Sequence, residues 1–302
     1  MRVFVTGATG YVGSAVVREL IDAGHQVVGL ARSERAAASL TAAGAEAHRG
    51  DLADLAGLRA GAAAADGVIH TAFQNIGPDT DFAASCRAED RAVEALGEAL
   101  AGSGRPFVMT SGTGLVTAGP LATEEDAADP ASPVGLRAGA EETALSFAAR
   151  GVRVSVVRLS PSVHSDGDRH GFVPSLIGIA RATGISAYAG DGSNRWPAVH
   201  RLDAARLYRL AVEAAPAGAR LHAVGEEGVP LREIAGAIGR QLELPVVGVS
   251  GQQATDHFGW LAGFVSLDNP SSSALTRKLL GWRPVGPGLV ADLDAGHYSE
   301  VE

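Results

Sequence analysis

Short apolar runs recur through the first half of the chain, separated by longer stretches with helical spacing. VFVT (3–6), QVVGLA (26–31), AEAHR (45–49), GVIHT (67–71), PFVMT (106–110) and VRVSVVRL (152–159) read as strands. Helical patterns fall between them at about 12–23, 34–43, 52–60, 81–102 and 134–149. Continuously apolar strands are buried on both faces, and their alternation with helices predicts an α/β fold with a doubly wound parallel sheet.

After Leu159 the regularity breaks. SPSVHSDGDRHG (160–171) reads as a polar loop, followed by a helix at about 173–183. AGDGSNRWPAVHRLDAARLYRLAVE (189–213) reads as a loop, a short strand and a helix. LHAVG (221–225), a helix over 230–241, a short PVVGV (245–249) and helices near 251–262 and 272–280 complete the chain. This pattern predicts a nucleotide-binding domain over 1–162 plus about 196–225, with a smaller C-terminal substrate lobe from about 163–195 and 226–302.

The first strand runs straight into three glycines, Gly7, Gly10 and Gly13, which open the first helix. A tight turn, close approach to a pyrophosphate and close helix–strand packing each need a residue without a side chain, and the helix N-terminus then faces the phosphates. A Rossmann-type dinucleotide site is the expectation.

Composition narrows the partners. The 302 residues carry a net charge of −9, which disfavours nucleic acid, because phosphate backbones are bound through clustered Lys and Arg. Only one lysine occurs, Lys278, and one cysteine, Cys86, so neither an intrachain disulfide nor a cysteine zinc cluster is expected. Nine histidines without HExxH-like spacing predict no metal site. No apolar run approaches the roughly 18 residues of a membrane span, and Met1-Arg2 leads into a strand rather than a signal peptide. The expected setting is cytoplasmic, with a small molecule as partner and neither membrane nor nucleic acid.

The spacing TGATGYVG (6–13) resembles the extended short-chain dehydrogenase/reductases, a group that includes NAD-dependent epimerases and dehydratases. GDL (50–52), GVIHTAF (67–73), TSGTG (110–114), RLSPSVH (158–164), VHRLDAARL (199–207) and SSSALTRKLLGW (271–282) follow in the family's order. The resemblance implies a cofactor site on Gly7, Thr9, Gly10, Tyr11, Val12 and Gly13, with Asp51 and Leu52 flanking the adenine and Ala72 along the cofactor. An NAD enzyme needs a carboxylate at the end of the second strand for the ribose 2′-OH. Ala31 stands there instead, followed by Arg32 and Ser33, with Arg35 nearby, which suits a 2′-phosphate and points to NADP rather than NAD. The bland reading of Arg32 is a solvated residue opening a helix.

The family's usual chemistry needs a Tyr with a Lys four residues on, and no such pair occurs here. Counted back from Glu141, the lysine position falls on Arg137 and the tyrosine position on Pro133, in a helix start with Ser132 as N-cap. This matches an atypical subgroup that keeps the glycine motif without the pair. Arg137 stays protonated, and binds ribose or substrate or is merely solvated. Ser111 and Thr113 flank Gly112, nearest the family's hydroxyl position, and either orients a substrate oxygen or bonds its own turn. Asp90 falls near a family Asn and orients a water, holds a helix kink, or is simply exposed.

His164 and His170 lie in the loop after the sixth strand, and His164 is the sequence candidate for the missing proton donor. Trp196 reads as core or pocket wall, and His200 as a partner of Asp203 or a backbone carbonyl. Two functions follow: an NADP(H)-dependent oxidoreductase or epimerase acting on a small carbonyl or alcohol, or a catalytically silent NADP-binding sensor. The resemblance also implies a homodimer through the helices near 81–102 and 134–150, whose Ala-rich surfaces permit close packing.

Overall fold

The computed structural model describes residues 1–74, 77, 80–116 and 119–298. Along the chain come β1 (Arg2–Thr6), α1 (Tyr11–Asp22), β2 (Gln26–Ala31), α2 (Glu34–Ala42), β3 (Glu46–Arg49), α3 (Leu55–Ala63), β4 (Gly67–His70), α4 (Phe82–Leu100), β5 (Pro106–Gly112), α5 (Ala138–Ser146) and β6 (Arg153–Leu159). The second half contributes β7 (Ser162–His164), α6 (Phe172–Thr183), β8 (Ser186–Ala189), β9 (Arg195–His200), α7 (Arg201–Ala214), β10 (Ala219–Ala223), β11 (Glu226–Pro230), α8 (Leu231–Leu242) and β12 (Val246–Val249). Helices α9 (Gln252–Phe258), α10 (Ala262–Val265), α11 (Ala274–Leu280) and α12 (Leu289–Asp294) close it.

Seven strands form one sheet in the order β10-β6-β5-β4-β1-β2-β3, with every neighbouring pair parallel. Within a strand, successive side chains point to opposite faces. Val3 and Val5 accordingly join Val16, Leu20, Leu207 and Tyr208 in one core, while Phe4 joins Leu58, Val93, Leu96 and Phe147 in the core on the other face. The chain order reverses between β1 and β4, and such a switch point opens a crevice at the carboxyl ends of the strands.

The remaining strands build the second lobe. β7 and β9 run parallel, β11 pairs antiparallel with β9, and β8 pairs with β12. Its own core gathers Ile177, Trp196, Ile234, Ile238, Phe258, Leu261 and Tyr298. Among the described residues no helix is long and apolar enough to cross a membrane.

Several elements differ from the sequence pattern. The expected helix over 134–149 is a 3₁₀ turn at Gly135–Arg137, then α5, then a 3₁₀ turn at Phe147–Arg150. Ser132 is not its N-cap: a Cβ on Gly135 would lie 2.0 Å from the Pro130 carbonyl oxygen, so the chain is folded back on itself before the helix begins. The helix expected near 251–262 is split into α9, a 3₁₀ turn and α10. The expected loop 160–171 contains β7, whose partner β9 is distant in sequence, and β8, β11 and α12 are further elements that local pattern did not mark.

Candidate active site

At the end of β1 the chain turns through Gly7, which has a φ of +70°, a conformation that side chains disfavour. A Cβ there would lie 2.7 Å from the Ala72 nitrogen, and one on Gly13 would lie 2.1 Å from the Gly7 oxygen. These two glycines therefore serve packing. Gly10 differs, since its only near neighbour would be the Gly7 oxygen at 3.2 Å and its outer side faces the crevice. Ser33, Asp54 and Asp81 cap α2, α3 and α4 through their side chains, whereas α1 begins at Gly10 with no side-chain cap. The amide groups of its first turn thus lack the usual partner and favour an anion, as a pyrophosphate requires.

The other expected cofactor residues follow the carboxyl ends of the strands. Thr9 is exposed in the glycine loop, and Tyr11 and Val12 line the crevice. Arg32 is exposed just beyond β2, with no ion pair formed to another described residue, while Ser33 is engaged as the cap of α2, accepting from the Ala36 amide at 3.2 Å. Asp51 follows β3 and accepts from the Ala53 and Asp54 amides at 2.8 and 3.2 Å. Leu52 and Ala72 are half-buried.

From the glycine loop a cavity of about 360 Å³ runs along the ends of β4, β5 and β6 into the second lobe. Its near half carries Thr71, Thr110, Ser111, Gly112, Arg137 and Ser160. Its far half is largely apolar: Phe172 packs against Trp196 and Phe264 with ring centroids 5.7 and 4.9 Å apart, Val134, Leu115 and Leu267 complete the wall, and Asp168 and His170 line the cavity just before α6. Trp196 is both core and wall, only 1% exposed, with its indole N–H donated to the Phe264 carbonyl at 3.2 Å.

The structure separates the expected catalytic residues. His164 does not line the cavity: it is buried, with Nδ1 2.6 Å from Asp292 Oδ2 and its ring 5.7 Å from that of His200. Burial holds its pKa below the ordinary imidazole value against the pull of Asp292. His200 caps α7 by accepting from the Leu202 amide at 3.3 Å, while Asp203 binds Arg206 and the amides of Val285 and Gly286. Thr113 is fully buried outside the cavity, its hydroxyl without a partner among the described residues. Asp90 also lies outside it, half-buried on α4, its carboxyl pushed up by burial.

Ser111 and Arg137 do reach the wall, yet both are engaged. Ser111 Oγ donates to Glu141 at 2.7 Å, and Glu141 is clamped by Arg158 at 2.5 and 3.1 Å. Burial opposes the Glu141 charge, but Arg158 and Ser111 hold it below the ordinary carboxylate range. Arg137 forks onto Glu89 at 3.0 and 2.5 Å, donates to the Thr110 carbonyl at 3.1 Å and stacks 4.2 Å over Phe73. Pro133, at the family's tyrosine position, lines the cavity with a ring that carries no proton, and Lys278 lies elsewhere on α11.

Sequence reasoning passed over Asp168, Glu89, Phe73 and Phe264. Asp168 stands four residues before α6 in a polar loop, and only its burial distinguishes it from its neighbours.

A parallel sheet of this order, with a glycine turn at an uncapped helix beside its switch point, is a Rossmann-type dinucleotide-binding fold. The model of the NAD dependent epimerase/dehydratase family matches residues 3–224, and the chain belongs to that family. It is an NAD(P)-dependent oxidoreductase or epimerase. The chain is 50% identical, over 99% of its length and 100% of the relative's, to an uncharacterized protein of Schizosaccharomyces pombe. It is 31% identical to the 2-alkyl-3-oxoalkanoate reductase of Stenotrophomonas maltophilia, over 78% of this chain and 73% of that one. The solved structure of MoeE5 in complex with UDP-glucuronic acid and NAD resembles it with a TM-score of 0.77 and 26% identity, covering 97% of this chain and 96% of that one.

Proposed function

We propose that this protein is an NADP(H)-dependent oxidoreductase that interconverts a small ketone or aldehyde of apolar body with its alcohol. The apolar far half of the cavity carries this reading. Arg137 is the only arginine or lysine among its described lining residues, and Glu89 already neutralises it. A sugar carrying a diphosphate would enter with charge that no free cation meets, whereas an apolar carbonyl compound buries its body against Phe172, Trp196 and Phe264. The reductase relative is named for a 2-alkyl-3-oxoalkanoate, which supports a ketone as the reacting group.

When bound, the nicotinamide supplies or accepts a hydride. The uncapped amides of α1 and the open side of Gly10 hold the pyrophosphate, and Arg32, exposed and unpaired, meets a 2′-phosphate. Arg137, held by Glu89 and the Thr110 carbonyl, gives the near half of the cavity a fixed polar wall whose charge Glu89 balances.

The reading is tested by NADPH oxidation against ketones and aldehydes, with conversion of UDP-sugars in the presence of NAD(P)⁺ followed in parallel by product analysis. Turnover of apolar carbonyls alone is expected. Turnover of UDP-sugars alone refutes the substrate class, and tight NADPH binding without turnover of any compound assigns the protein to the sensor class, which the lack of a Tyr-x-x-x-Lys pair favours.

A further inference from the structure

The described hydroxyls lining the cavity have committed their own hydrogens to the protein. Thr71 donates to the Thr6 carbonyl at 2.8 Å, Thr110 to that of His70 at 2.7 Å and Ser160 to that of Ala223 at 2.8 Å. Ser111 donates to Glu141 at 2.7 Å, and Tyr11 to the Ser165 carbonyl at 3.2 Å. Toward the cavity each hydroxyl can only accept. Arg137 has hydrogens to share but does not release one near neutral pH. A carbonyl oxygen that becomes an alcohol must receive a proton, and among the described lining residues Asp168 and His170 remain to supply it.

His170 is exposed to solvent, whereas Asp168 is 6% exposed. Its Oδ1 accepts from the Gly171 amide at 3.0 Å and the His170 amide at 3.4 Å, which fixes the carboxyl at the start of α6. A Cβ at position 171 would meet Oδ2 at 2.7 Å, so glycine there gives the second oxygen its room. Tyr11 of α1 faces the carboxyl, backed by Arg201 of α7, and Asp292 of α12 stands beyond, itself bonded to His164. Asp166 and His170 come from the same loop. Tyr298 lies close enough to favour the carboxylate, although its hydroxyl makes no well-formed hydrogen bond.

We propose that Asp168 is the catalytic acid and base of this cavity, giving a proton to the substrate oxygen in reduction and taking it back in oxidation. The proposal rests on the oxidoreductase reading above. In reduction the carbonyl carbon gains the hydride from NADPH, the C=O π pair moves to oxygen, and that oxygen takes the Asp168 proton. The products are alcohol and NADP⁺, and the carboxylate regains its proton from water. Burial pushes the Asp168 carboxyl up to about 6, against the Gly171 and His170 amides, so both protonation states are populated near neutrality. Tyr11, by contrast, is pushed further above the ordinary phenol value by burial and by Asp168.

Asp168→Asn keeps the acceptor for the Gly171 amide and removes the proton. Its kcat for reduction should fall by about 10²-fold or more, with NADPH affinity and thermal midpoint kept. Wild-type kcat/KM should fall about tenfold per pH unit above pH 6, a limb that Asp168→Asn lacks and Asp168→Glu partly restores at a shifted pH. A ¹³C-carboxyl resonance titrating near pH 6 in wild type and absent from Asp168→Asn gives a readout independent of turnover. A kcat within threefold of wild type, a retained limb, or a limb lost instead in His170→Ala overturns the proposal alone. Absence of turnover by wild type on every compound defeats the oxidoreductase reading and the proposal together.

Discussion

Single residues divide the glycine turn into two jobs. A side chain on Gly13 would collide with the Gly7 carbonyl at 2.1 Å, while one on Gly10 meets only a 3.2 Å contact. Gly13→Ala is therefore expected to unfold at markedly lower denaturant than wild type, and Gly10→Val to keep its circular dichroism while losing NADPH binding in calorimetry. A folded Gly10→Val protein with wild-type affinity would reduce the loop to a turn. On the proposed reading, Arg32 is the residue that sets cofactor choice. NADPH should bind at least about tenfold tighter than NADH, about 1.4 kcal/mol, and Arg32→Ala should erase the difference. Equal affinities in wild type would remove Arg32 from the site.

Among elements, the junction of α4 and α5 depends on one buried ion pair. Glu89 on α4 and Arg137 at the start of α5 have side chains 2% and 12% exposed. Burial works against both charges; Glu89 overcomes it for Arg137 and keeps the guanidinium protonated, while the Glu89 carboxyl itself is raised. Removing one partner leaves the other charge buried, which costs about 3–5 kcal/mol. Arg137→Met should show a loss of that order in urea melts, and Glu89→Gln/Arg137→Met should recover most of it. A double variant as unstable as the single one would mean that Arg137 acts through its stack on Phe73 rather than through its charge.

For the whole molecule, buried histidines set the response to acid. Burial, with Arg137 nearby, lowers His70 from 6.5 to about 4, and burial lowers His222 to about 4 as well. The unfolded chain binds these protons near 6.5, so between pH 6.5 and 4 it holds more protons than the fold, and stability falls as pH falls. From pH 7.5 to 5 the loss is about 2 kcal/mol per histidine. Asp168, raised rather than lowered, offsets part of this between about pH 4 and 6. Denaturation at both pH values should show the net loss, and His70→Gln should flatten it; an equally steep profile in that variant would place the proton uptake elsewhere.

The sequence by itself determined the elements whose cause is local. Mostly apolar runs marked β1, β2, β4, β5 and β6 because burial on both faces favours apolar residues, whereas β3 is a polar, largely exposed edge strand, and Gly7, Gly10 and Gly13 marked the dinucleotide turn. Ser132-Pro133 carried an equally local helix signal and was overruled, since Gly135 packs onto Pro130 and delays α5 to Ala138. The active-site assignments depended on distant pairings. His164 met Asp292, 128 residues away, and left the cavity; Ser111 and Arg137 gave their hydrogens to Glu141 and Glu89. Asp168 was one polar residue of an expected loop until α6, α1 and α12 closed around it. A proton donor is defined by desolvation and by which neighbours already hold its hydrogen, and both are properties of packing between segments that no stretch of sequence contains.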